Sequence, residues 1–182
     1  MKEVIFVLLN GFADWEGAFT AICLNQGVKP GNPINYKVKY LSITKEPVTS
    51  IGGLRVLPDY DLKDMPEDYA GLILIGGMRW FSPEAELIVP LVKKALGMHG
   101  FLNEVKHTSN TLDYLKQYAG DQYTGESNYI NKQAVRDENI VTANGIGQLE
   151  FCREILYALE ADTAEAIEES YLFYKNGVCP KG

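Results

Sequence analysis

The chain has 182 residues, a net charge of −7, 46% hydrophobic and 23% charged residues. Such a length fits one domain with a substantial core, 1–182, and such a composition excludes a disordered or fibrous chain. Its 17 Lys and Arg are scattered among 24 Asp and Glu, which argues against a nucleic-acid or anionic-membrane partner, because phosphate binding needs clustered positive charge.

Residues 3–9, EVIFVLL, are apolar and β-branched almost throughout, as suits a central parallel strand covered on both faces. Asp14 and Glu16 follow in place of a small-residue cleavage site, so the run reads as a strand and not as a signal peptide. No apolar stretch is long enough to span a bilayer. A helix is predicted from Asp14, a good N-cap type, with Trp15, Phe19, Ile22 and Cys23 on one apolar face and Gly27 as its stop. Residues 36–43 alternate and predict a second strand, 51–57 a hairpin, and 71–75, GLILI, a buried strand ending in Gly76-Gly77. Ser82-Pro83-Glu84 predicts a helix start with Pro83 at its first position, running toward Leu96 with a bend at Pro90. Thr111–Tyr118 reads as helix, 139–143 as a strand, and Gln148–Leu159 as helix. A last helix through Tyr174 opens with Asp162 and Glu165 at capping-box spacing. Strands alternating with helices imply a mainly parallel, doubly wound sheet. Ligands in such sheets bind beyond the carboxyl ends of the strands, which selects Gly11–Glu16, Gly76-Gly77 and Asn144–Gly147.

Each of these ends carries two readings. Glu16 lies in a first helical turn, where backbone N–H groups favour an anion; it is either a helix-start acid or a group that shares a proton with a nucleophile or substrate. Asp14 is either a cap or part of the same site. Gly76-Gly77 is a tight turn or a pair of amides for an oxyanion. His107, in HTSN, is structural or a general base. The three cysteines, Cys23, Cys152 and Cys179, form no disulfide framework, and reduced thiols in the cytoplasm are the expectation. Cys23 and Cys152 fall on apolar helix faces and read as core. The chain has no G-x-S-x-G, no P-loop and no metal-ligand spacing, so neither a cofactor nor a metal is expected.

Taken in order, GFADWEGA, LILIGG, HTSN and RDENIVTANGIGQLEF resemble the DJ-1/PfpI (ThiJ) family of the class I glutamine amidotransferase-like superfamily. The resemblance implies a flavodoxin-like three-layer α/β/α sandwich and commonly a homodimer. It implies that Glu16 is the acid beside a reactive cysteine, that Gly76 and Gly77 face that cysteine, and that His107 approaches the pocket. Asp14 and Trp15 belong to the same turn, Gly145 and Gly147 match the late glycine turn, and Glu150 opens the helix after it. The activity implied is a cysteine-dependent hydrolase or amidotransferase-like reaction on a small carbonyl or amide substrate. The alternatives are a non-enzymatic oxidative-stress sensor or chaperone-like protein, or an inactive binding module.

One part of the family pattern is absent from this sequence. The reactive cysteine belongs to a strand–turn–helix segment between the helix after the glycine pair and HTSN. Leu96 and His107 are only 11 positions apart, too few for a strand of about five residues and a helix of about ten. Either an internal stretch is missing at the Leu96-Gly97 junction, or the chain truly lacks it. Physical cost favours the first, since deleting a central strand should exceed the roughly 5–15 kcal/mol that stabilises a domain.

Overall fold

The computed structural model describes residues 1–29, 31–96 and 101–177. Strand β1 (Lys2–Val7) is the centre of the molecule. Its apolar run leaves Val4, Ile5, Phe6 and Val7 fully buried or nearly so. Because side chains alternate along a strand, Val4 and Phe6 join Leu24, Ile155 and Ile167 on one face, while Ile5 and Val7 join Leu41, Ala85 and Ile88 on the other. The sheet therefore has a packed layer on each side. Its order is β2-β1-β5, with β2 at Tyr36–Leu41 and β5 at Gly71–Leu74, and both neighbours run parallel to β1.

Helix α1 (Asp14–Gln26), α4 (Gln148–Ala158) and α5 (Ala164–Asn176) form one layer, with α1 packed on α4 and α4 on α5. Helix α2 (Val89–Leu96) belongs to the other. The short strands β3 (Val48–Thr49) and β4 (Arg55–Val56) make the expected hairpin. Helix α3 (Leu112–Ala119) opens at Thr111, whose hydroxyl accepts from the Tyr114 N–H at 3.0 Å.

Several local expectations are corrected. The N-cap of α1 is Ala13, and Asp14 is its first helical residue, its carboxylate accepting instead from the Ser50 hydroxyl at 2.7 Å. The buried face of α1 is Gly17, Thr20, Cys23 and Leu24; Trp15 and Ile22 are 44% and 52% exposed. The stretch after Ser82 is a 3-10 turn (Pro83–Leu87) followed by α2, with Pro90 in the first turn of α2, where its missing N–H leaves no bond unmade. Thr163, not Asp162, caps α5, accepting from the Ala166 N–H at 3.2 Å.

Residues 139–143 contain β7 (Ile140–Ala143), yet β7 is one arm of an antiparallel hairpin with β6 (Ala134–Asp137). Glu138 takes φ 53° at the tip between them. Among the described residues this hairpin forms a sheet separate from β2-β1-β5. The Leu96-Gly97 junction lies outside the described residues.

Phe6, the largest fully buried side chain of β1, packs in the same cluster as Leu24 of α1 and Ile155 of α4. Phe6→Ala is expected to cost about 3–5 kcal/mol of stability, read as a lower urea midpoint at unchanged slope.

Candidate functional site

Three strand ends converge on one carboxylate. Glu16, in the first turn of α1, accepts the Gly76 N–H through Oε2 at 2.7 Å. The carbonyl of Gly76 in turn accepts from the Ala13 N–H at 2.8 Å. The turn after β5 and the start of α1 are thus joined by two hydrogen bonds. A Cβ on Gly76 would lie 2.5 Å from Glu16 Oε2, and one on Gly145 would lie 3.6 Å from Oε1. Glycine at both places lets the two turns close around the carboxylate.

Trp15 and Asn110 complete the assembly. The Trp15 indole N–H donates to the Gly145 carbonyl at 3.0 Å, and the Gly145 N–H donates to Asn110 Oδ1 at 2.8 Å. Burial holds the Glu16 proton to a higher pH than an ordinary glutamate would keep it, and the Gly76 amide opposes this in part.

Gly77 serves a different need. A Cβ there would meet the Gly11 carbonyl at 2.6 Å, and Gly77 bridges to Phe12 as a short antiparallel contact. Since Gly76 donates to Glu16 itself, the amides expected for an oxyanion are not equivalent. Gly147 is the N-cap of α4, and a Cβ on it would fall 2.4 Å from the Gln133 carbonyl; its position secures backbone packing. Asp14 is bonded elsewhere, accepting from the Ser50 hydroxyl while Ser50 Oγ accepts from the Leu54 N–H at 2.9 Å.

His107 is fully buried. Its Nδ1 lies 2.7 Å from the Val105 carbonyl and its Nε2 2.8 Å from the Tyr123 hydroxyl. A carbonyl only accepts, so Nδ1 donates to Val105, and the Tyr123 hydroxyl is the partner of Nε2. Both nitrogens are engaged within the protein. The next residue, Thr108, reaches the cavity that Glu16 faces. That cavity has a volume of about 570 Å³ and lies between β5 and β7.

Neither described thiol lines this cavity. Cys23 sits two helical turns along α1 from Glu16, about 10 Å along the axis. Its thiol shares a hydrogen bond with Cys152 of α4, and both residues are buried. That bond, together with burial, pushes the Cys152 thiol well up, so it is no ready thiolate. Cys179 lies outside the described residues. Glu150 accepts from Lys175 at 2.7 Å and from the Tyr171 hydroxyl at 2.8 Å; burial opposes its charge, but these partners hold its carboxyl below the usual range. Among the described residues no group of three or more His, Cys, Asp or Glu is placed to hold a metal, and no helix is long and apolar enough to cross a membrane.

The sequence pattern of the DJ-1/PfpI family matches residues 2–96. The chain belongs to the DJ-1/PfpI family. It is 34% identical to a protein of Bacillus subtilis (strain 168) named "Uncharacterized protease YdeA", covering 97% of this chain and 91% of the relative. That alignment runs over 191 positions, more than the 182 residues of this chain, so the relative carries residues that this DJ-1/PfpI chain lacks. A crystal structure of a ThiJ/PfpI family protein from Bacillus anthracis superposes with a TM-score of 0.86 at 32% identity, covering 97% of this chain and 92% of the other. A DJ-1 superfamily protein from Agrobacterium tumefaciens gives 0.80 at 30% identity, covering 98% and 100%. The fold is accordingly the flavodoxin-like α/β/α architecture of the DJ-1/PfpI family.

Sequence reasoning missed Asn110, Thr108 and Ser50. Asn110 stood in the HTSN motif, but nothing local marked it as the holder of Gly145.

Two outcomes test the carboxylate's setting. The folded pKa of Glu16 is raised, so its contribution is fully present below the unfolded value and is lost as pH rises through the folded one. Glu16→Gln should therefore raise the melting temperature near pH 7 and lose that gain as pH falls to about 4; a difference independent of pH would refute the assignment. Gly76→Ala should destabilise by about 1–3 kcal/mol through overpacking against the same carboxylate, measured by denaturant titration.

Proposed function

We propose that this chain is a ligand-binding member of the DJ-1/PfpI family, which holds a small carbonyl- or carboxyl-bearing compound at Glu16 by hydrogen bonding. The observation that carries this reading is the carboxyl group itself, retaining its proton to raised pH and facing a cavity of about 570 Å³ while the Cys23–Cys152 pair is occupied in the core. A protonated carboxyl donates one hydrogen bond to an acceptor oxygen. Thr108 and Asn144 supply further polar groups at the cavity wall, among apolar side chains of β5, β7 and α4. That mixture suits a small compound with one polar end. Trp15, Met78 and Ile146, all exposed, adjoin the glycine turns in the chain.

A second reading is a cysteine-dependent hydrolase. It is supported by the name of the Bacillus subtilis relative and by the retained pairing of Glu16 with Gly76. There a thiolate would attack a carbonyl carbon, Glu16 would take and return the thiol proton, and Gly77 would offer its amide to the oxyanion. That thiol would have to come from outside the described residues.

Calorimetric titration with aromatic aldehydes, amides and carboxylic acids separates the two. Binding is expected to weaken as pH rises, because the donor proton is lost, and to fall about tenfold in Glu16→Ala, in keeping with the loss of one hydrogen bond. No turnover is expected in hydrolase, deglycase or glyoxalase assays. Turnover abolished by Glu16→Ala would establish the hydrolase instead.

A further inference from the structure

The chain has three cysteines, and two of them meet in the core although they stand far apart in the sequence. Cys23 belongs to α1 and Cys152 to α4. Both are buried, and their thiols share a hydrogen bond where the two helices pack. As a packing group cysteine is only a small hydrophobe, and valine or alanine would serve in its place. A facing pair of thiols differs from any such filling in one respect: the two can be joined.

The surroundings hold the pair together. The buried face of α1 is Gly17, Thr20, Cys23 and Leu24, mostly small residues, and the size of the side chains at a contact sets how closely two helices approach. The Thr20 hydroxyl, fully buried one turn before Cys23, finds no oxygen or nitrogen partner among the described residues. It lies against the Cys152 thiol, where it favours the thiolate.

The two thiols are unequal. Cys152 donates and Cys23 accepts, and that bond lowers the Cys23 thiol from its ordinary value although burial opposes it. The same bond, with burial, raises Cys152. Thiolate is the form that peroxide oxidises, so Cys23 reacts first and Cys152 resolves. Access also favours Cys23, whose neighbour Ile22 is 52% exposed.

We propose that Cys23 and Cys152 are an oxidation site, which takes up hydrogen peroxide and closes to a reversible disulfide between α1 and α4. In the first step the Cys23 sulfur attacks one peroxide oxygen. An S–O bond forms, the O–O bond breaks, and the departing hydroxide leaves as water with the Cys23 proton. Cys23 is now a sulfenic acid, oxidised by the two electrons that reduce the peroxide. In the second step the Cys152 sulfur attacks the Cys23 sulfur. The S–S bond forms, the S–O bond breaks, and the hydroxyl leaves as a second water with the Cys152 proton. Local separation of α1 from α4 admits the peroxide, and its reversal returns Cys152 to the sulfenic acid. No residue of the Glu16 site takes part, so this inference and the ligand reading stand or fall apart.

The test uses the full chain carrying Cys179→Ser, which leaves the core pair as its only thiols. It is treated with hydrogen peroxide under native conditions, alkylated, and digested without reductant. The expected product is one cross-linked peptide pair containing Cys23 and Cys152 within a single chain, lighter by two hydrogens and restored by dithiothreitol. The melting temperature is expected to rise by about 5–10 °C on oxidation, because the cross-link closes a long loop of the unfolded chain. Cys152→Ala should stop the reaction at Cys23, where dimedone traps the sulfenic acid. The proposal is overturned if the pair stays reduced until urea unfolds the chain. It is equally overturned if peroxide takes either thiol to sulfinic acid without a cross-link, or if the cross-links join two chains. The peptide map needs no change in the core, so it decides the matter whether or not Cys152→Ala folds.

Discussion

The hydrogen bond from the Gly76 amide to the Glu16 carboxylate is the constraint around which the carboxyl-end face of the sheet is arranged. It fixes the first turn of α1 against the end of β5, and the reciprocal bond from Ala13 to the Gly76 carbonyl keeps the two from rotating apart. The consequences spread outward. Gly76 has no room for a side chain, and Gly145 comes close enough that Glu16 sits between two backbone turns. Trp15, adjacent to Glu16, reaches the Gly145 carbonyl, and Asn110 takes the Gly145 amide. An acid in a first helical turn is ordinary. An acid there that organises two further strand ends is what marks the candidate site.

The strands and helices that hold this site were largely legible in the sequence because their signals are local. EVIFVLL and GLILI are runs that only a buried strand accommodates, and Gly27 stops α1 as its position suggests. What was not legible depended on partners remote in the chain. Asp14 has the chemistry of a cap, yet Ser50, 36 positions on, takes its carboxylate. Trp15 and Ile22 share helical spacing with Cys23, but the apolar residues of α1 spread around the helix and the layer selects Gly17 and Thr20 instead. Strand β6, with Arg136 and Asp137, is too polar to announce itself, and it appears only because β7 needs an antiparallel partner. For the site, the order of motifs pointed to Glu16, Gly76 and Gly145, but the hydrogen bonds that distinguish Gly76 from Gly77, and the two partners that occupy His107, are tertiary facts.

The short interval between Leu96 and His107 has its structural counterpart in the gap between β5 and β7. The arithmetic of the sequence excludes a strand and helix within 11 positions, and the described residues hold no strand between β5 and β7. The surrounding motifs fold as family motifs nonetheless. Each is stabilised by its own neighbours: β1 by its two parallel partners and two packed layers, and β7 by β6 and α4.

The buried thiols of Cys23 and Cys152 join α1 to α4 beneath the site. A thiol reagent can reach them only when those helices part. Their rate of modification is therefore a clock for the opening of that layer, and a built-in one, needing no introduced label. Any ligand that steadies the Glu16 end of α1 should slow the clock, so the core itself would report on the occupancy of a candidate site whose described lining contains no sulfur.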